Sequence, residues 1–221
     1  MLHGLLLPVF PNSARGRGTA TLIGKNCIIT AAHCLYDQEH GGMAARAEFF
    51  LGVNNGTYYY KRSLVKEVRI HSLYAQGCMD LSREKRLNHD IAVASIEEDI
   101  GQEVGWASLK VFKDADLSNI KVNITGYPSP VANDNVSFTT YKMHTMEGPI
   151  TQTDDYRIHY DIDTFGGQSG SGVWRLGKDR IVDCLGVHAN GYTEEDKYNN
   201  GTRINEEKFD IIQSWLNQIN K

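Results

Sequence analysis

The sequence predicts an all-β protein that ends in one α-helix. Short apolar runs rich in β-branched residues recur along the chain, with no helical spacing between them. The 221 residues include 21 glycines and only 5 prolines, which suits many short strands joined by turns. Strands spaced in this way are typical of barrels or sandwiches. The predicted strands are residues 19–23, 27–30, 48–53, 64–70, 91–96, 120–126, 158–162, 172–176 and 181–188.

Two local signals complete this prediction. Asn54-Asn55-Gly56 predicts a hairpin turn, because asparagine and glycine tolerate the positive φ that tight turns require. A C-terminal amphipathic helix is predicted after Asn205, a typical capping residue. Its apolar face consists of Phe209, Ile212, Trp215, Leu216 and Ile219. Acidic residues on the same helix argue against a membrane or partner surface, and we expect the helix to pack on the second half of the protein.

Composition and charge restrict the classes of function. Hydrophobic residues make up 41% and charged residues 23% of the chain, which is ordinary for a globular protein. A net charge of −4 without a basic stripe gives no reason to expect nucleic-acid binding. No stretch is long enough to cross a bilayer, and we expect no membrane partner. The apolar run at Leu5-Leu6-Leu7 lacks a basic start and is interrupted by Pro8, so it is a poor signal peptide.

The stretch from Gly166 to Ser171 predicts a nucleophile together with its oxyanion hole. Its sequence, Gly-Gly-Gln-Ser-Gly-Ser, is a small-residue turn that can project the hydroxyl of Ser169. The same turn can direct backbone N–H groups at the oxygen of an attacked carbonyl. We assign these two donors to Gly167 and Ser169.

Two other segments supply partners for that serine. Thr30-Ala31-Ala32-His33-Cys34 offers His33 as a general base, and Asp90 follows His89 at the start of an apolar run. A buried carboxylate suits the second nitrogen of the imidazole, where it fixes the tautomer and stabilises the cation. Each residue alone has a structural explanation, as a core histidine, a strand cap or a flexible turn. Their occurrence in the order histidine, aspartate, serine favours a catalytic triad.

The other histidines show no metal-ligand spacing. We therefore predict no catalytic metal and no cofactor. These residues, expected on the surface or in packing, are His3, His40, His71, His89, His144 and His159.

These segments resemble the chymotrypsin-like serine peptidases, particularly the glutamyl endopeptidase (V8-like) branch. The resemblance runs from about Thr19 to the C-terminus and includes Gly126-Tyr127-Pro128 and the residues around Ser169. It implies a trypsin-like double β-barrel in which His33, Asp90 and Ser169 lie in the cleft between barrels. At Gly172 this sequence departs from the branch, whose members usually carry proline. The resemblance implies a serine endopeptidase that acts on proteins or peptides.

The boundary between the two barrels is predicted near residues 101–116, where apolar periodicity lapses. We assign residues 1–105 to an N-terminal barrel that carries His33 and Asp90. Residues 106–221 form a C-terminal barrel that carries Ser169, followed by the helix.

The resemblance also suggests which residues contact the substrate side chain before the scissile bond. In glutamyl endopeptidases the positions of His188 and Thr164 contact a substrate carboxylate, and both side chains can donate a hydrogen bond. Asp163 lies six positions before Ser169, where an acidic residue in trypsin-type enzymes attracts Lys or Arg. A protonated His188 beside Asp163 could cancel its charge. We therefore expect cleavage after Glu or Asp, with cleavage after Arg or Lys as the alternative.

Gln168 indicates how the oxyanion hole is assembled. In trypsin-like zymogens an aspartate at this position pairs with a newly released N-terminal amine. Glutamine carries no charge for that pair, so we expect the oxyanion hole to form without this switch.

The four cysteines, Cys27, Cys34, Cys78 and Cys184, allow three disulfide pairings, and their spacing favours none. In secreted relatives Cys34 usually pairs with a cysteine just before Thr19, and that partner is absent here. The chain as written fits a reducing cytoplasmic setting better than an exported one, with a secreted mature form as the alternative. An intracellular peptidase without a zymogen switch would need a regulatory partner or inhibitor. A catalytically silent binding module on the same fold remains the other class of function.

Overall fold

The computed structural model describes residues 2–118, 120–129, 141–194 and 197–219. The strands of the first half are β1 (His3–Val9), β2 (Gly18–Leu22), β3 (Cys27–Thr30), β4 (Tyr36–Asp37), β5 (Gly42–Met43), β6 (Arg46–Leu51), β7 (Ser63–Ile70) and β8 (Ala92–Ile96). Six of them close into a barrel in the order β1-β2-β3-β8-β7-β6, and β4 pairs with β5 in a separate small sheet. Two short 3₁₀ helices, Ala32–Cys34 and Gln38–His40, flank β4.

The strands of the second half are β9 (Ser108–Leu109), β10 (Lys121–Gly126), β11 (His144–Thr153), β12 (Arg157–Tyr160), β13 (Gly172–Leu176), β14 (Val182–Asn190) and β15 (Asn199–Arg203). Six of them form a second barrel in the order β13-β10-β11-β12-β15-β14, which closes through pairing of β13 with β14. The short β9 joins β14 in parallel. The helices are α1 (Ser72–Met79), α2 (Arg83–His89), α3 (Gly101–Val104), α4 (Asp114–Leu117) and α5 (Glu206–Ile219). The predicted double barrel with a C-terminal helix is confirmed, whereas the division at residue 105 stays a prediction.

The core of the first barrel extends into β14 and α5, whereas the rest of the second barrel has a separate core. The predicted helix therefore packs on the first barrel rather than on the second, because its apolar face joins the core of the first. Buried residues of the first barrel, such as Ile28 and Val93, belong to the same cluster as Val187 of β14 and Ile212 of α5. Asn205 caps α5, because its Oδ1 accepts a hydrogen bond from the backbone N–H of Lys208 at 2.9 Å. In the described part of the chain, no helix is both long and apolar enough to cross a bilayer.

The sequence prediction missed several elements. β1 is formed by the apolar run at residues 3–9, and it pairs with both β2 and β6 inside the first barrel. α1 and α2 lie between β7 and β8, where no helix was expected. The apolar residues of α1 are weakly segregated, with only Tyr74 and Gly77 buried, and α2 buries only His89, so periodicity gave little signal. β15 escaped notice because its sequence, Asn-Asn-Gly-Thr-Arg, is polar although four of its five residues are buried.

Lys208 of α5 is fully buried. Burial lowers the pKa of its ammonium group to about 8, against partial compensation from Glu207 and Asp154. Its Nζ lies 4.7 Å from the centre of the Tyr156 ring and has no hydrogen-bond partner among the described residues. A buried cation without a partner costs stability.

We predict that Lys208→Met raises the thermal unfolding temperature, because methionine fills a similar volume without the desolvation cost. The unfolded lysine titrates near 10.5 and the folded one near 8, so the penalty is complete below pH 8 and fades towards pH 10.5. Thermal unfolding at pH 7 and pH 10 should therefore show a larger gain at pH 7. The exposed Lys121, in a matched Lys121→Met variant, should show no such dependence; an equal shift in both variants would contradict the burial argument.

Candidate active site

His33 and Asp90 are in direct contact at the end of the first barrel. His33 lies in the 3₁₀ turn after β3, and Asp90 lies between α2 and β8. Nδ1 of His33 is 2.6 Å from Oδ2 of Asp90, and the backbone N–H of His33 donates to Oδ1 at 2.9 Å. Since a carboxylate only accepts, Nδ1 carries the hydrogen and Nε2 keeps its lone pair for another proton.

Asp90 is held by contacts from both halves of the molecule. Asp90 is 5% exposed, and its backbone carbonyl accepts a hydrogen bond from Oγ1 of Thr202 at 3.0 Å. Thr202 belongs to β15 of the second barrel. Docking of the barrels therefore helps to hold the acid against the imidazole.

Opposing effects determine the pKa of His33. Burial lowers the pKa, while the Asp90 carboxylate and the Cys34 side chain raise it, and the net pKa lies well above the usual 6.5. The site therefore stabilises the protonated imidazole. This is the form that arises when the ring takes a proton from a neighbouring group.

Ser169 lies in a loop held between the two barrels. Its carbonyl accepts hydrogen bonds from the backbone N–H of Thr19 at 2.8 Å and from Sγ of Cys34 at 3.4 Å. The next residue, Gly170, donates its N–H to the carbonyl of His188 at 2.8 Å. Gly170 has a φ of +88°, and a Cβ there would lie 2.1 Å from the carbonyl oxygen of Thr19. Only glycine therefore permits this approach, which brings Ser169 beside the residue that follows His33.

One hydrogen bond orients the peptide group between Gly166 and Gly167. The carbonyl of Gly166 accepts from the backbone N–H of Ser129 at 2.5 Å. Because the peptide is trans, the N–H of Gly167 points in the direction opposite to that carbonyl, within the peptide plane. Gly167 has a φ of +94°, which favours glycine. The N–H of Gly167 is thus turned away from Ser129.

Gln168 fixes the same loop through uncharged contacts. The side chain is 1% exposed, and its Oε1 accepts from the backbone N–H of Phe165 at 2.9 Å. Its backbone carbonyl accepts from Oγ of Ser171 at 2.6 Å. Both partners lie within three residues, so the loop is ordered by bonds that involve no N-terminal amine.

The three residues assigned to substrate binding differ in their surroundings. Asp163 is exposed and Thr164 is half-buried. His188 is 3% exposed, and its Nδ1 lies 2.5 Å from the hydroxyl of Tyr160. Burial and the nearby His33 lower the pKa of His188 to about 3, so the ring is neutral at neutral pH. The positive charge that was expected on His188 beside Asp163 is therefore absent, because the imidazole ring of His188 is buried.

The four cysteines are free thiols in the structure. Cys34 faces Gly18, where a Cβ would lie 2.8 Å from Sγ of Cys34 and 3.4 Å from its Cβ. This is close to the about 3.5–4.5 Å that separates the Cβ atoms of a disulfide. The missing upstream partner of Cys34 is thus a glycine in contact with it.

A cluster of His71, His89 and Glu207 was not expected from sequence spacing. Their ligand atoms lie within 4.8 Å of one another. The two imidazole rings are stacked, with centroids 4.2 Å apart and planes inclined by 21°, so their in-plane lone pairs lie in separate, nearly parallel planes and do not converge on one point. Nδ1 of His71 accepts from the backbone N–H of Leu73, which leaves the hydrogen on Nε2, the atom nearest Glu207. This arrangement does not suit a shared metal ion.

Comparison with known proteins gives consistent matches. Residues 11–209 match the trypsin family. The chain is 34% identical to the glutamyl endopeptidase of Bacillus licheniformis over 213 residues, which are 93% of this chain and 61% of that protein. It is 29% identical over 210 residues to a Bacillus subtilis protein named extracellular metalloprotease, covering 95% of this chain and 61% of that protein.

Solved structures agree with the sequence matches. A Glu endopeptidase in complex with MPD has a TM-score of 0.76 and 25% identity, covering 95% of this chain and 88% of that one. The chain spans 61% of the length of each of the two Bacillus relatives. Because the family match extends over most of the chain and through both barrels, the protein belongs to the trypsin family.

Proposed function

We propose that this protein is a serine endopeptidase that uses His33, Asp90 and Ser169, and that it cleaves after Glu or Asp. The observation that carries the proposal is the paired contact of His33 with Asp90, through both the ring and the backbone N–H. It fixes the tautomer in which Nε2 can act as a base. The names of the glutamyl endopeptidase relatives support the substrate preference.

The proposed reaction proceeds in two halves. Oγ of Ser169 attacks the substrate carbonyl carbon while its proton passes to Nε2 of His33, and the carbonyl electron pair moves onto oxygen. When that pair returns, the C–N bond breaks and the leaving amine takes the proton from Nε2. Water then attacks the acyl-enzyme in the same manner, and the acid product leaves as Ser169 regains its proton.

Backbone N–H groups of Gly167 and Ser169 stabilise the transient oxyanion in this proposal. The Ser129 N–H holds the Gly166 carbonyl, so the N–H of Gly167 points away from Ser129, and this orientation supports the assignment. Each such donor typically lowers the barrier by roughly 3 kcal/mol. Gln168 and Ser171 hold the loop in this form without substrate.

Recognition of the substrate carboxylate is assigned to Thr164 and His188. A neutral His188 can still donate one hydrogen bond, and the threonine hydroxyl can donate another. Exposed Asp163 is the residue that would instead favour Arg or Lys. A metal-dependent reaction, suggested by the name of the Bacillus subtilis relative, has less support because the His71 and His89 lone pairs do not converge.

The first test concerns the base. Because the pKa of His33 is raised and the base must be neutral, kcat/KM should rise with pH through a midpoint above 6.5. Asp90→Asn should lower kcat by roughly 10⁴-fold and move the remaining midpoint to lower pH, since the carboxylate that raises the pKa is gone. pH–rate profiles with a Glu-nitroanilide provide the measurement. The control is Asp99→Asn, a surface change that should alter neither value; a wild-type midpoint below 6.5 would contradict the assignment.

The second test concerns the oxyanion hole. In Gly167→Ala the new Cβ would lie 2.4 Å from the carbonyl oxygen of Tyr127, so the loop must move and the Gly167 N–H with it. We expect labelling of Ser169 by a fluorophosphonate to slow by about 10²- to 10³-fold. Gly56→Ala is the matched control, because Gly56 also has a positive φ but an added Cβ meets nothing. Ser169→Ala should abolish labelling, and absence of labelling in the folded wild type would favour the silent binding module.

The third test concerns specificity. Cleavage sites in a denatured protein mixture, mapped by mass spectrometry, should lie mainly after Glu and Asp. Thr164→Val should reduce the preference for Glu over Gln by about tenfold or more, because it removes a hydrogen bond to a charged group. Asp163→Asn should leave that preference in place. Predominant cuts after Arg or Lys that disappear in Asp163→Asn would transfer the assignment to Asp163.

A further inference from the structure

We infer that a cavity beside His33 selects substrates with an acidic residue one or two positions after the scissile bond, through Arg15 and Arg17. The inference rests on the proposed function and adds a second determinant to it. The cavity measures about 180 Å³ and is lined by both arginines together with His33 and Cys34.

His33 separates this cavity from another one. The other cavity is lined by Asp90, Ala189 and Asn190 as well as His33. Ala189 and Asn190 directly follow His188 in β14, so this side is continuous with the residues assigned to the side chain before the scissile bond. A peptide that passes the nucleophile must leave past the opposite side of His33. That side is the cavity of Arg15 and Arg17, which we call the leaving-group cavity.

The leaving-group cavity carries an excess of positive charge. Arg15 is exposed, and no acidic partner is found for it among the described residues. Asp37 is the acidic residue that lines the cavity, but its Oδ2 lies 2.7 Å from Nδ1 of His40 and its Oδ1 accepts from the backbone of Glu39. Asp37 is therefore already engaged, and its single carboxylate faces two guanidinium groups, so the cavity keeps a net positive charge.

Arg17 is held in place by its surroundings. Its Nη2 donates to the carbonyl of Pro128 at 2.7 Å, and its guanidinium lies 4.9 Å from the centre of the Tyr141 ring. A guanidinium fixed in this way is well suited to a carboxylate, since little side-chain entropy remains to be lost.

The backbone that carries both arginines is ordered as well. They lie in the connection from β1 to β2, which is closed by bonds from Phe10 N–H to the Ala14 carbonyl at 2.8 Å and from Gly16 N–H to the Pro8 carbonyl at 3.0 Å. Arg15 also forms an isolated bridge with Val9. Both arginine side chains line the same cavity.

The test uses peptides with Glu before the scissile bond and Glu, Gln or Lys at the first or second position after it. We expect kcat/KM for Glu over Gln to be about fivefold higher at one of these positions, with Lys lower than Gln. Arg15→Gln and Arg17→Gln should each reduce this ratio, and the double variant should bring it to about one. Arg46→Gln, an exposed arginine of β6 paired with Glu48, should leave it unchanged. A wild-type ratio of one, or a ratio that survives in the double variant, would overturn the inference.

Two further measurements separate this inference from the proposed function. A Glu-nitroanilide has no residue after the scissile bond, so its hydrolysis by the wild type reports on the proposed function alone, whereas the Glu-over-Gln ratio within each variant reports on the leaving-group cavity. If the wild type does not cleave it, the proposed function fails, and the inference is decided by binding instead. Fluorescence anisotropy then measures the Kd of the same peptides for the Ser169→Ala variant. The Glu peptide should bind more tightly than the Gln peptide, and this difference should disappear when Arg15→Gln and Arg17→Gln are added. Equal affinities would reject the cavity's acidic preference.

Discussion

The geometry of the candidate site depends on the hydrogen bonds of Thr19. This fully buried residue of β2 donates its N–H to the carbonyl of Ser169 and its hydroxyl to the carbonyl of Gly167 at 2.9 Å. The same hydroxyl accepts from the backbone of Tyr127 at 3.1 Å, while the Thr19 carbonyl accepts from Thr30 at 2.7 Å. One residue of the first barrel thereby fixes the loop of the second. The position of Ser169 relative to His33 is thus determined by the barrel interface.

Much of the fold and of the candidate site could be predicted from the sequence. Strands with alternating or continuous apolar residues, such as β3, β8 and β13, were found because their burial leaves a pattern in the residue types. His33, Asp90 and Ser169 were predicted because residue type, order and flanking small residues all pointed to one chemistry; the structure brings His33 and Asp90 into contact, and the catalytic role of all three stays a prediction. The cap at Asn205 followed from a local rule that the structure satisfies directly.

Other parts could not be predicted because their determinants are distant in sequence. Thr19 and Tyr160 lie in strands whose sequences carry no special signal. Only the fold shows that Thr19 holds the loop that contains Ser169 and that Tyr160 contacts His188. β15 is buried through hydrogen bonds of polar residues, which a hydrophobic pattern does not register. The neutral state of His188 depends on how deeply the ring is enclosed, and no flanking residue reveals that.

The close approach of Gly18 and Cys34 has a consequence for how the two cleft walls are joined. A disulfide between positions 18 and 34 would fit almost without movement, but residue 18 is a glycine and only Cys34 carries a thiol. The turn that bears His33 is consequently tethered to β2 only by packing and hydrogen bonds. Reducing conditions should therefore not disturb the alignment of the His33 turn with β2. A reagent that adds a group to the thiol of Cys34 would instead clash with β2 next to Ser169.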